Sequence, residues 1–99
     1  MARPPAPTTS MEDRTVVITG ANSGIGLETA AALATAGARI VMGCRNADTA
    51  AAAVDEVRRR CGHDRVETRS LDLADLDHVR RFAASLSDLD RIDVLINNA

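Results

Sequence analysis

Thr15-Val16-Val17-Ile18-Thr19-Gly20-Ala21-Asn22-Ser23-Gly24-Ile25-Gly26 is the stretch whose reading decides the fold. Val16 to Ile18 is a short β-branched run, the pattern of a strand buried on both faces. Turn residues follow. From Gly24 to Ala36 the chain is rich in Ala and Leu and reads as a helix stopped by Gly37. Each of three glycines has a physical reason. Gly20 lets the chain leave the strand in a tight turn without a Cβ clash. Gly24 lets the backbone approach a phosphate closely, and Gly26 lets the helix pack tightly on the strand. The first N–H groups of the helix have no internal partner, and with the helix dipole they form an anion site. Asn22 and Ser23 can cap the helix or reach ribose and phosphate oxygens. Glycines alone permit a turn. Between a strand and a helix of a βαβ unit they point to a nucleotide pyrophosphate.

Working outward, the alternation continues. Ile40 to Met42 reads as a second buried strand. Ala50 to Arg60 reads as a second helix, with Val54, Val57 and Cys61 on one face and Gly62 ending it. A more polar third strand is expected around Val66 to Leu71. Val79, Phe82, Ala83 and Leu86 recur at helical spacing within a helix from Leu76 to Leu86, with Asp75 as its N-cap. Val94 to Ile96 is the last strand. The order βαβαβαβ predicts an α/β fold: the N-terminal part of a doubly wound, parallel-sheet Rossmann fold with helices on both faces. Residues 1–13, with Pro4, Pro5 and Pro7, read as a disordered leader, and Met1 and Met11 are both candidate starts. Residues 14–99 form one dinucleotide-binding domain that is incomplete.

Composition narrows the function classes. The 99 residues carry a net charge of −2, so no electrostatic case exists for nucleic acid as a partner. No apolar run is long enough for a membrane span, and no signal peptide is visible; a cytoplasmic protein is expected. Cys44 and Cys61 read as reduced, buried thiols. They lack metal-ligand spacing, and neither His63 nor His78 completes a site, so no metal is expected.

The end of the second strand bears on the choice between NAD and NADP. An NAD site usually places a carboxylate there to bind both ribose hydroxyls. Here the stretch is Met42-Gly43-Cys44-Arg45-Asn46, and Asp48 lies a few residues too late. Arg45 suits a 2′-phosphate through paired charge-assisted bonds, the alternative being a solvated surface Arg. NADP is expected over NAD.

These motifs resemble a family. Thr19-Gly20-Ala21-Asn22-Ser23-Gly24-Ile25-Gly26 resembles the TGxxxGxG turn of the short-chain dehydrogenases/reductases. Asn97-Asn98-Ala99 is similar to the start of that family's Asn-Asn-Ala-Gly element, and Leu71-Asp72-Leu73 to its adenine-contacting segment. Gly43-Cys44-Arg45-Asn46 resembles the NADP-preferring, retinol-dehydrogenase-like branch. The resemblance implies that Gly20, Gly24, Ile25 and Gly26 cradle the pyrophosphate. It implies that Asn22, Ser23, Arg45 and Asn46 surround the adenosine ribose and its 2′-phosphate, and that Asp72 and Leu73 hold the adenine. Asn98 and Ala99 would approach the nicotinamide ribose. Asp72 has a second reading, a carboxylate capping the following helix, and the two can coexist.

The family's chemistry is hydride transfer between a nicotinamide and a small carbonyl or alcohol substrate. Its proton comes from a Tyr beside a Lys, with a Ser orienting the substrate oxygen. This sequence has no Tyr, and all twelve of its basic residues are Arg. Ser10, Ser23, Ser70, Ser85 and Ser87 fall outside the family's catalytic position, so no catalytic residue is assigned and the chain alone is expected to be inactive. It ends just after a buried strand, as expected of the N-terminal portion of a longer enzyme. In the complete enzyme the substrate would be lipophilic by resemblance, and a homo-oligomer is compatible with the family. The alternative is a non-catalytic NADP-binding module that senses or buffers the cofactor or pairs with another chain. A methyltransferase using S-adenosylmethionine would want a carboxylate where Arg45 stands.

Overall fold

A computed structural model describes residues 10–22 and 24–98. Its strands are β1 (Thr15–Thr19), β2 (Arg39–Cys44), β3 (Val66–Ser70) and β4 (Val94–Asn97). Its helices are α1 (Gly24–Thr35), α2 (Ala47–Cys61) and α3 (Leu76–Ser85), the last followed by a 3₁₀ turn, Leu86–Asp88. The strands form one parallel sheet in the order β3-β2-β1-β4. The chain therefore winds outward from β1 to β3 and then returns to the other flank of β1. That reversal lies between β1 and β4, and a crevice at the carboxyl ends is expected there.

Period-two alternation divides the core. Val16, Ile18, Ile40 and Met42 pack with Ala30, Ala31, Ala34, Ala50, Ala53, Val54 and Val57 of α1 and α2. Val17 and Val41 point the other way, to Leu71, Phe82 and Leu89. Alanines on α1 and α2 let both helices lie close to the strands. Val16, Val17, Ile18, Ile40, Val41 and Met42 are fully shielded from solvent, each contributing about 1.5–3 kcal/mol relative to exposure. β4 differs: Leu95 is 65% exposed and Val94 37%.

The structure bears out the element order and moves several boundaries. α2 starts at Ala47, ahead of the expected Ala50, because Asn46 Oδ1 accepts from the N–H groups of Asp48 and Thr49 at 2.9 and 3.1 Å. Gly62 closes that helix at φ 79°, a left-handed conformation that favours glycine. Asp75 caps α3 as expected, accepting from Asp77 and His78 N–H. Both cysteines are free thiols, but only Cys44 is buried; Cys61, at the frayed end of α2, is half-exposed. Residues 11–13, placed in the leader by composition, lie against the domain: Met11 N–H donates to Ala36 O at 2.9 Å and Glu12 packs beside Gly37. Residues 1–9 of that leader lie outside the described residues. No helix among the described residues is long and apolar enough to cross a membrane. Among them there is also no group of His, Cys, Asp and Glu side chains that could hold a metal ion.

Candidate functional site

All four strands run parallel, so the β1–α1 turn and the ends of β2, β3 and β4 meet at one edge of the sheet. The turn is held from both sides. Gly20 N–H donates to Gly43 O at 2.9 Å. Asn98 Nδ2 donates to Gly20 O at 3.0 Å, and Asn98 N–H donates to Thr19 Oγ1 at 3.1 Å. Gly20 and Gly24 take positive φ, 65° and 59°. Gly26 is required by space: a Cβ there would collide with Asn98 Nδ2 and lie 2.6 Å from Gly20 O. A Cβ on Gly24 would meet nothing within 4 Å, so that backbone stands open on its outer side.

A cavity of about 260 Å³ opens beside the turn, lined by Gly20, Asn22, Gly43, Cys44, Arg45, Leu71, Asp72, Leu73 and Ala74. The structure thus brings together Gly20, Asn22, Arg45, Asp72 and Leu73 of the residues singled out in the sequence. Gly24, Ile25 and Gly26 form the adjoining first turn of α1, where no acidic side chain competes for the N–H groups and Ile25 is 78% exposed. Ser23 and Ala99 lie outside the described residues. Asn46 points its Oδ1 into the cap of α2, so that oxygen serves the helix and not the cavity. Asn98 is engaged with Gly20 and Thr19.

The geometry decides which carboxylate caps α3. Asp75, not Asp72, caps α3; Asp72 Oδ1 instead accepts from Ala74 N–H at 3.0 Å, forming an Asx turn at the rim. Its Oδ2 has no hydrogen bond among the described residues. Arg45 is exposed and has neither an ion pair nor a hydrogen bond among the described residues. Every other described arginine except Arg81 has a partner: Arg14 and Arg91 share Asp93, Arg39 and Arg69 share Glu67, and Arg60 grips Glu28 through two bonds. Arg58 and Arg65 donate to backbone carbonyls, and Arg59 and Arg80 pair with carboxylates one turn earlier.

Five residues of the site were not assigned a role from the sequence. Gly43, Leu71 and Ala74 line the cavity, and Thr49 Oγ1 accepts from Asn22 Nδ2 at 3.4 Å, linking the turn to α2. A glycine inside an otherwise apolar strand was the available signal for Gly43. Cys44 also lines the cavity. Burial pushes its thiol above the usual range against hydrogen bonds with Thr68 and the Ala21 backbone, so it stands as a neutral thiol.

A larger cavity, about 390 Å³, sits at the opposite edge among Glu12, Asp13, Arg14, Thr15, Arg39 and Arg65. Its arginines are occupied: Arg14 by Asp93 at 3.3 Å, Arg39 by Glu67 at 2.8 Å, and Arg65 by Gly37 O at 3.0 Å. Size alone does not make it the site; the smaller cavity has the unpaired Arg45 in its lining and the N-terminus of α1 beside it.

The family model for short chain dehydrogenase matches residues 14–99. The chain is 50% identical over 91 residues to dehydrogenase/reductase SDR family member 13 of Bos taurus, covering 91% of this chain and 24% of that protein. It is 44% identical over 87 residues to human retinol dehydrogenase 13, covering 87% and 26%. Among solved structures it resembles menthone neomenthol reductase from Mentha piperita, with TM-score 0.80, 31% identity, and coverage of 87% of this chain and 31% of that one. It also resembles the Pseudomonas aeruginosa RhlG/NADP active-site complex, with TM-score 0.81, 33% identity and coverage of 91% and 36%. The chain thus spans only about a quarter of the curated relatives it matches.

Proposed function

The chain belongs to the short-chain dehydrogenase family, and on that premise we propose that it is the NADP(H)-binding N-terminal portion of an oxidoreductase. Arg45 carries the choice of cofactor. It is an unpartnered guanidinium at the rim of the cavity, at a strand end without a carboxylate. Paired charge-assisted hydrogen bonds to a 2′-phosphate suit it, and the absent Asp or Glu is what NAD would use.

The residues fit such a cofactor. The α1 N-terminus, with Gly24 open on its outer side and no acidic side chain in its first turn, would receive the pyrophosphate on its first N–H groups. Asp72, whose Oδ2 has no hydrogen bond among the described residues, would accept from the adenine amino group, and Leu73 and Asn22 would flank the adenosine. Gly26 keeps the helix close enough to β1 for those N–H groups to converge. When bound, the nicotinamide supplies or accepts a hydride against a small carbonyl or alcohol. The family's proton-donating Tyr and its Lys are not among the residues of this sequence. A cytoplasmic location remains part of this proposal.

Calorimetric titration with NADPH, NADH, adenosine 2′,5′-bisphosphate and 5′-AMP tests the reading. Tighter binding of each 2′-phosphorylated ligand than of its counterpart is expected. Equal affinities overturn the NADP assignment, and absence of binding to all four overturns the site.

A further inference from the structure

Building on the cofactor reading above, we infer that Gly43 and Phe82 are positioning residues for the adenosine subsite. The missing side chain at Gly43 lets the Phe82 ring and Leu71 press onto β2, and that contact shapes the Leu71 wall of the cavity beside Asp72.

Gly43 sits in a central strand, paired with Thr19 on one side and Arg69 on the other. Glycine weakens such a strand unless something must approach the backbone closely. Something does. A Cβ on Gly43 would lie 2.9 Å from Leu71 Cδ2 and 3.1 Å from both Cε1 and Cζ of Phe82. Phe82 is the only aromatic residue of the sequence and is 7% exposed. It reaches Gly43 from α3, across the face opposite α1 and α2.

The Leu71 backbone is fixed, so its side chain must give way. Its N–H donates to Cys44 O at 2.9 Å, which ties the chain after β3 to the end of β2. Asp72 follows directly, and its own turn is closed by Ala74 N–H to Oδ1 and by Asp75 N–H to Asp72 O. A displaced Leu71 side chain therefore enters the cavity that it lines, next to Asp72. The Gly43 carbonyl meanwhile holds the glycine turn through Gly20 N–H. One residue thus anchors the phosphate turn through its carbonyl and makes room for the adenosine wall through its bare Cα.

The test is calorimetry on the full chain with two probes, adenosine 2′,5′-bisphosphate for the cavity and tripolyphosphate for the α1 end. Wild type, Gly43→Ala, Phe82→Leu and the double variant are compared. Gly43→Ala is expected to weaken adenosine bisphosphate on the order of tenfold, as overpacking of a tight contact costs, with tripolyphosphate affinity unchanged. In the Phe82→Leu background, where the smaller side chain yields, the added methyl is expected to cost less than about twofold. The same relief is expected if Gly43→Ala alone unfolds the chain, followed by circular dichroism. Unchanged adenosine binding in Gly43→Ala, parallel loss of both probes in a folded variant, or an equal cost of the methyl in both backgrounds overturns the inference. Failure of wild type to bind adenosine bisphosphate is a different result: it removes the cofactor reading, and this inference with it.

Discussion

The two ends of the sheet draw on the same residue types, arginines and carboxylates, but use them differently. At the amino ends of the strands, Asp93 accepts from Thr15 N–H at 2.8 Å and from Arg14 and Arg91, and Glu67 binds Arg39 while also reaching Arg69 further along β3. At the carboxyl ends, Arg45 and Asp72 Oδ2 stand without partners among the described residues, beside the open N-terminus of α1. Compensated charge ties strands together; uncompensated charge is free to meet a ligand. The larger cavity lies at the compensated end and the smaller one at the open end, so cavity volume and free charge rank the two ends differently.

Breaking the carboxyl end at its tightest point should have the largest effect. Gly26→Ala drives a methyl against Gly20 O and Asn98. A loss of about 3 kcal/mol of stability is expected, the upper range for overpacking, together with loss of tripolyphosphate binding. Urea denaturation and calorimetry check the two effects.

The amino end should respond to pH and leave cofactor choice untouched. Asp93 is held below the usual carboxylate range by the Thr15 N–H, then by Arg91 and Arg14, against the opposing effect of burial. A folded value below the unfolded one means its stabilisation is complete above the unfolded value of about 3.9. It is lost as pH falls through the folded value. Asp93→Asn should flatten the acid limb of stability measured by urea midpoints between neutral pH and acid. The NADPH-to-NADH affinity ratio should not move.

A smaller effect is expected at Arg39. Its pair with Glu67 is partly exposed, and Arg39→Ala should cost no more than about 1 kcal/mol, shrinking with added salt. The least perturbing probe is a thiol reagent. Cys61, half-exposed at the end of α2, should react first, and Cys44, buried and held neutral, should lag far behind and be slowed further by bound cofactor.

What could be read from the sequence follows the same division. β1, the glycine turn and α1 are legible because strand period, turn chemistry and helix propensity agree within a dozen neighbouring residues. The Asp75 cap and the Phe82 face of α3 are equally local. Asn46 is ambiguous in the sequence because one side chain suits two jobs: an Asn before Ala47-Asp48-Thr49 is both a helix cap and a ribose neighbour, and only geometry shows Oδ1 turned to the helix. Asp72 and Asp75 pose the same ambiguity three residues apart. Gly43 is legible only as a glycine inside an apolar strand; its reason, the Phe82 ring, lies in a distant part of the chain. The unpartnered state of Arg45 is likewise a statement about where every carboxylate went, which no local pattern contains.

The most direct test is the ratio of NADPH to NADH affinity in the wild-type chain and in Arg45→Ala. Losing charge-assisted bonds to a 2′-phosphate costs about 1.5–3 kcal/mol, so NADPH binding should fall by tenfold or more while NADH binding barely changes. Equal losses for the two cofactors, or none for either, would contradict the reading of the open end of the sheet as an NADP site.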